Sequence, residues 1–247
     1  MARKIALITG AARGIGAAVA RRLAAGGIDV VINDVDIADK AAEVRAAIEA
    51  EGGRAMVLRA DVRSVEAIGE MFGRVEDSWG TVDILVNNAG IQLRQPIRDW
   101  SEEQFNAIWE TNLQGAFFCA QRAVEPMKTK GWGRVINISS IHQMRPTGFC
   151  APYAISKGGM VMMMREFARE YGPFGITVNN VAPGAIRTDI NREVLSDPEF
   201  EAKVIDRIPS RFIGTPDDVA PLVAFLVSDE ARYINGTTIF VDGGLSV

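Results

Sequence analysis

The chain alternates short apolar runs with longer helical stretches from one end to the other, and few folds accommodate that rhythm. Residues 4–9, 28–33, 54–59, 82–87, 133–139, 176–181 and 238–241 read as strands. Between them lie helical patterns of about 10 to 25 residues, the signature of stacked βαβ units. Runs such as Ile5-Ala6-Leu7-Ile8 and Ile84-Leu85-Val86 lack polar alternation, as expected of parallel strands covered by helices on both faces. Helix-start signals agree. Ser101 with Gln104 forms a capping-box pattern, and Thr215-Pro216-Asp217-Asp218 offers an N-cap, a first-turn proline and two dipole-matched carboxylates. No repeat, low-complexity tract or Pro/Ser-rich linker divides the 247 residues. The expectation is a single α/β domain spanning residues 1–247, a doubly wound parallel sheet of about seven strands (a Rossmann fold). Ligands of such sheets bind beyond the carboxyl ends of the strands, where the strand order reverses.

Composition narrows the partners. A net charge of −4 with no basic stripe argues against nucleic acid, which needs a clustered cationic surface. With one histidine and two distant cysteines, Cys119 and Cys150, neither a metal site nor a disulfide framework is expected, and a reducing compartment fits. No apolar run approaches the roughly 18 residues of a membrane span. The apolar stretch after Met1-Ala2-Arg3-Lys4 is too short for a signal peptide and runs straight into a glycine loop. The cytoplasm is the default location, with a small molecule as substrate.

That first strand ends in Thr9-Gly10-Ala11-Ala12-Arg13-Gly14-Ile15-Gly16, and a helix follows at once. Glycines let the backbone turn tightly and approach a pyrophosphate, while the helix start supplies amide donors. An ordinary strand–helix turn is the alternative; the place between first strand and first helix favours a dinucleotide. Asp34 closes the second strand, where a carboxylate accepts both ribose hydroxyls of an adenosine and repels a 2′-phosphate. NAD is therefore expected over NADP, with Arg13 keeping NADP use open and a plain loop role as the other reading of Asp34. Asp61-Val62 and Asn87-Asn88-Ala89-Gly90 follow the third and fourth strands. Strand-end Asp and Asn are also turn formers, yet together they point to one crevice.

Tyr153-Ala154-Ile155-Ser156-Lys157 opens a long helix, and the four-residue spacing puts phenol and ammonium on one face. Met160 and Met164 continue that face, so Lys157 lies on an apolar stripe where an unpaired ammonium is costly. The cation is expected to favour the phenolate and lower the Tyr153 pKa from about 10, suiting Tyr153 to general acid/base work. A surface Tyr and Lys one turn apart is the bland alternative. Ser139-Ser140 closes the fifth strand at the cofactor edge of the sheet. Asn112 shares a helix face with Phe105, Ile108 and Trp109 and needs a buried partner, which a local core hydrogen bond would also provide.

Taken in order and at matching spacing, residues 9–16, Asp61-Val62, residues 87–90, Asn112, Ser140, Tyr153-x-x-x-Lys157 and Pro183-Gly184 with Thr188 resemble the short-chain dehydrogenase/reductase family along essentially the whole chain. The resemblance implies that Tyr153 is the proton donor or acceptor and that Ser140 holds the substrate oxygen. Ser140 lies at the family interval of thirteen residues before Tyr153, which selects it over Ser139. Lys157 would also bind the nicotinamide ribose, and Asn112 would anchor a proton-relaying water. Pro183, Gly184, Thr188 and the backbone of Ile186 would meet the nicotinamide end. A homotetramer is implied too, with residues 216–247 at one interface.

Residues 139–142, 153–160, 183–191 and 208–214 resemble the glucose 1-dehydrogenase branch, which implies an aldose oxidised at its anomeric carbon to a lactone. Much of that framework is shared with 3-oxoacyl-carrier-protein reductases. Arg94, Arg145, Arg187 and Arg192 fall near the expected pocket, where they would clamp an acidic sugar; solvated surface is their other reading. His142 either lines the pocket or serves the structure. Residues 189–211 are expected to cover the substrate. Two further readings compete. A NADPH-dependent ketone reductase is disfavoured by Asp34, and a non-catalytic nucleotide-sensing module could dispense with Tyr153, Lys157 or Ser140, all of which are present.

Overall fold

A computed structural model describes residues 3–35, 38–192 and 194–247. Seven strands form one sheet: β1 (Ile5–Ile8), β2 (Asp29–Asp34), β3 (Ala55–Arg59), β4 (Ile84–Asn87), β5 (Gly133–Ile138), β6 (Ile176–Pro183) and β7 (Thr238–Val241). Every pairing is parallel and the order is β3-β2-β1-β4-β5-β6-β7. Each expected strand is present with its ends within two residues of the expectation. The longest extension is in β6, which continues to Pro183 because Val241 of β7 pairs with it. The order reverses between β1 and β4, so the crevice opens there.

The uninterrupted apolar strands are covered twice. Ala6 and Ile8 pack under α1 (Gly14–Ala25), α2 (Ala38–Ala50) and α8 (Pro216–Val227). Ile5 and Leu7 pack under α3 (Val65–Trp79), α5 (Gly115–Lys130) and α6 (Ala151–Tyr171). Each fully buried Leu or Ile in these layers stabilises the fold by about 1.5–3 kcal/mol. Met160, Met163 and Met164 belong to the second layer, where flexible thioethers fill gaps. Two shorter helices are α4 (Glu102–Trp109) and α7 (Pro198–Asp206), of which α7 lines the crevice through Phe200 and Val204.

Local signals act largely as the sequence suggests. Ser101 and Gln104 complete the capping box of α4, each side chain accepting from the other's backbone amide at 3.2 Å. At α8 the Thr215 hydroxyl instead donates to Asp218 (2.9 Å), which also accepts from the Thr215 amide (2.7 Å). One polar thread crosses the core: Asn87 donates to Asn137, and Asn137 to Asn180, both at 2.9 Å. Among the described residues no helix is long and apolar enough to cross a membrane, and no His/Cys/Asp/Glu cluster suits a metal ion.

Candidate active site

The glycine loop is stitched to the end of β4 across the switch point. The Thr9 hydroxyl accepts from the amides of Asn88 and Ala89, both at 3.0 Å, and Asn88 Nδ2 donates to the carbonyls of Thr9 (2.9 Å) and Gly10 (2.8 Å). Gly10 has φ +62° and lies so close to β4 that a Cβ would sit 2.9 Å from Ala89 Cα. A side chain there is excluded by conformation and by space. At the end of β2, Asp34 Oδ2 accepts from the Ala12 amide at 3.3 Å, which ties this carboxylate to the same loop. Asp61 is gripped by Arg63 at 2.6 Å, and that hydrogen-bonded guanidinium holds its carboxyl below the usual range. Gly10, Asp34, Asp61, Arg63 and Asn88 line one cleft of about 860 Å³, with Arg13, Gly14, Ile15, Val62, Ala89 and Gly90. A backbone cradle at a helix start and a carboxylate at the β2 end fit a dinucleotide.

The cleft continues to the expected chemical groups. Ser140 follows β5 and stands beside the Tyr153 phenol, where it lowers the phenol's proton affinity, whereas Ser139 turns to Gln143 (2.9 Å). The structure therefore separates the two serines on geometry. Lys157 is buried one turn along α6 and donates to the Ile138 carbonyl at 2.7 Å. Its ammonium stands 5.6 Å from the Tyr153 ring centroid. The expected lowering of the tyrosine pKa is not found. Burial pushes Tyr153 up to about 12, with Ser140 pulling the other way. Burial also brings Lys157 down to about 8. The cation is aimed at a carbonyl, so desolvation of the phenol outweighs it.

Asn112 sits in a π-helical turn (Glu110–Gln114) between α4 and α5 and is fully buried. Its Oδ1 accepts from the Ile91 amide (2.8 Å), and Nδ2 donates to the Ile91 carbonyl (3.0 Å) and to Ser156 Oγ (3.2 Å). Ser156 in turn donates to the Tyr153 carbonyl at 2.7 Å. Both Nδ2 hydrogens are committed, so a water relay here would have to use the remaining acceptors of the π turn. Pro183, Gly184, Ile186 and Thr188 all reach the cleft from the end of β6.

Besides Asn112, which packs behind the cleft wall, four expected site residues lie elsewhere. Asn87 turns into the asparagine thread, because side chains alternate along a strand and Asn88 takes the loop-facing position. Gly16 packs away from the cleft: a Cβ there would meet Asn88 Nδ2 at 2.5 Å. Arg187 is paired with Glu201 and Arg192 with Asp189, and both line a neighbouring depression. Arg94 and Arg145 do line the cleft, as does His142, and Arg145 donates to the Leu245 carbonyl. Residues 189–211 border it through Ile190, Leu195, Phe200 and Val204; Glu193 in that segment lies outside the described residues. Sequence reasoning missed Gln92, Phe149, Cys150, Arg207 and Leu245 on the cleft wall. Only Arg207 carried a signal, as another arginine in the expected covering segment.

A family model described as enoyl-(acyl carrier protein) reductase matches residues 10–246. The chain is 42% identical to 3beta-hydroxysteroid dehydrogenase 1 of Eggerthella lenta, over 99% of this chain and 94% of that one. It is 37% identical to glucose 1-dehydrogenase 2 of Bacillus subtilis, over 99% and 95%. Among solved structures, a gluconate 5-dehydrogenase from Burkholderia cenocepacia in complex with NADP and tartrate superposes with a TM-score of 0.94 at 36% identity, covering 100% of this chain and 96% of that one.

Proposed function

The chain belongs to the short-chain dehydrogenase/reductase family, enzymes acting on CH–OH groups with NAD(P), and on that premise we propose that it oxidises a sugar-type substrate through Tyr153, Ser140 and Lys157. The leading case is an aldose converted at its anomeric carbon to a lactone, or the corresponding oxidation of a sugar acid. The observation that carries this reading is that Ser140, Tyr153 and buried Lys157 meet in the same cleft as the glycine loop.

Ser140 holds the substrate oxygen beside the phenol, and Tyr153 takes the alcohol proton in oxidation or returns it in reduction. The nicotinamide, when bound, supplies the hydride chemistry. Lys157 binds the ribose next to it, and Asn112 fixes the Ile91 segment and Ser156 behind the pair. Gly10, Gly14 and Ile15 hold the pyrophosphate, Asp34 the adenosine ribose, and Asp61-Val62 with residues 88–90 the adenine side. Asp34 favours NAD; Arg13 in the glycine loop leaves NADP usable. Residues 189–211 cover the substrate.

Arg94, Arg145 and Arg207 line one cleft, and among the described residues no ion pair neutralises any of them. That excess of positive charge supports a carboxylate-bearing sugar. A second reading, oxidation of a hydroxysteroid or reduction of a 3-oxoacyl thioester, is favoured by the apolar wall of Phe149, Leu195, Phe200 and Val204. Exposed Phe225, Tyr233 and Phe240 support a homotetramer built through residues 216–247, and two buried free thiols support the cytoplasm. Initial rates with NAD and NADP on D-glucose, D-gluconate and a 3β-hydroxysteroid, and with the reduced cofactors on acetoacetyl thioester, separate the readings. Sugar turnover that Tyr153→Phe lowers about 100-fold or more with NAD binding retained is expected. Full activity of that variant would remove Tyr153 from its role.

A further inference from the structure

His142 is the chain's only histidine and stands two residues after Ser140, in the short turn Ile141–Gln143. Its amide donates to Ser140 Oγ at 3.1 Å, and its ring lies edge-on to Tyr153 with centroids 6.2 Å apart. Ring Nδ1 is 3.0 Å from the Arg145 carbonyl. A carbonyl can only accept, so Nδ1 carries the hydrogen. In a neutral imidazole of that tautomer Nε2 is a bare acceptor. Burial keeps the ring pKa below its ordinary value, with Arg94 and Arg145 adding to that and only the Arg145 carbonyl opposing it. No described residue bonds Nε2, and the side chain lines the cleft.

This end of the cleft is otherwise rich in donors. The Arg94 and Arg145 guanidiniums can only donate, and both are cationic neighbours of the imidazole. A partner for Nε2 must bring its own hydrogen. The Ser140–Tyr153 pair claims the oxygen that reacts, and the His142 ring stands directly beside that pair. We propose that His142 Nε2 accepts a hydrogen bond from a second substrate hydroxyl, on the carbon next to the one that reacts, and thereby selects vicinal diols and α-hydroxycarbonyls over simple alcohols and ketones. The proposal rests on reading this cleft as the site of oxidation and deepens it: the specificity-determining group is an acceptor held by the Arg145 backbone.

Two measurements test it. With [15N]histidine the protein has a single imidazole, so its ring-nitrogen shifts report the tautomer directly in the wild type. A protonated Nδ1 and bare Nε2 at neutral pH are expected, and an Nε2–H tautomer would overturn the proposal. Butane-2,3-diol and butan-2-ol then serve as probes. The wild type is expected to prefer the diol roughly tenfold or more in kcat/KM, the scale of one buried polar group left unpaired. His142→Phe should bring that ratio towards one by losing diol turnover while keeping butan-2-ol turnover, and His142→Gln, which retains an acceptor, should restore part of it. Equal wild-type rates on both alcohols, or an equal loss on both in His142→Phe, sink the specificity role alone. Turnover of neither alcohol by a wild type that oxidises D-glucose or D-gluconate sinks the specificity role, and silence on those sugars as well sinks the oxidation reading with it.

Discussion

Lys157 and Tyr153 stand one turn apart on α6, and burial drives their proton affinities in opposite directions, to about 8 and about 12. Each shift penalises the charged form of its own group. Below pH 8 both folded and unfolded chains carry the Lys157 proton, and the buried ammonium weakens the fold in full. Between about 8 and 10.5 the unfolded chain keeps a proton that the folded chain has released, so stability rises with pH across that window. Denaturation curves of wild type and Lys157→Met should show the wild type gaining up to about 3 kcal/mol over the variant across that window. Parallel pH profiles would show that the ammonium is not desolvated in the folded chain. The spacing of these two residues was legible in the sequence. The aim of the ammonium at Ile138 was not, because that carbonyl belongs to a strand nineteen residues away.

At the scale of elements, β4, β5 and β6 are joined by more than their backbone ladders. Asn87, Asn137 and Asn180 form a thread of amide hydrogen bonds inside the core, where an unpaired partner is costly. Asn137→Leu would leave Asn180 Oδ1 without its mate and Asn87 Nδ2 with the Ala116 carbonyl (3.2 Å) for only one of its two hydrogens. A loss of about 2–4 kcal/mol in urea unfolding is expected, the sum of two unsatisfied buried groups. A change below 1 kcal/mol would mean that the thread is dispensable. Strand positions were readable from apolar runs, and the ends of α4 from its capping residues. The thread was invisible, since its members lie on three strands brought side by side only by the sheet order. For the same reason Asn87 looked like a crevice residue.

Across the whole molecule, Asp189 joins parts that are far apart in the chain. Lys40 from α2 (3.3 Å), Arg13 from the glycine loop (3.8 Å) and Arg192 all meet its carboxylate. Burial alone would raise its pKa, but these cations outweigh it and hold the carboxyl below its usual value. The cluster thus persists down to acid pH and loosens as pH falls through that depressed pKa. It ties the start of segment 189–211 to the nucleotide end of the cleft. Asp189→Asn should raise KM for the nucleotide roughly three- to tenfold, as expected of a partly exposed network, with a smaller effect on kcat. An unchanged KM would make the cluster a surface feature only. By itself the sequence determined the strand–helix alternation, the glycine loop, the Ser140–Tyr153–Lys157 set and the family, because these are written in local periodicity and fixed spacing. Only the tertiary structure decided that Arg187 and Arg192 face away from the cleft, that Gln92, Cys150 and Arg207 line it, and that His142 lines it with Nδ1 held by the Arg145 carbonyl. Those outcomes depend on which side chains meet across the fold, and such meetings follow from three-dimensional packing rather than from order along the chain.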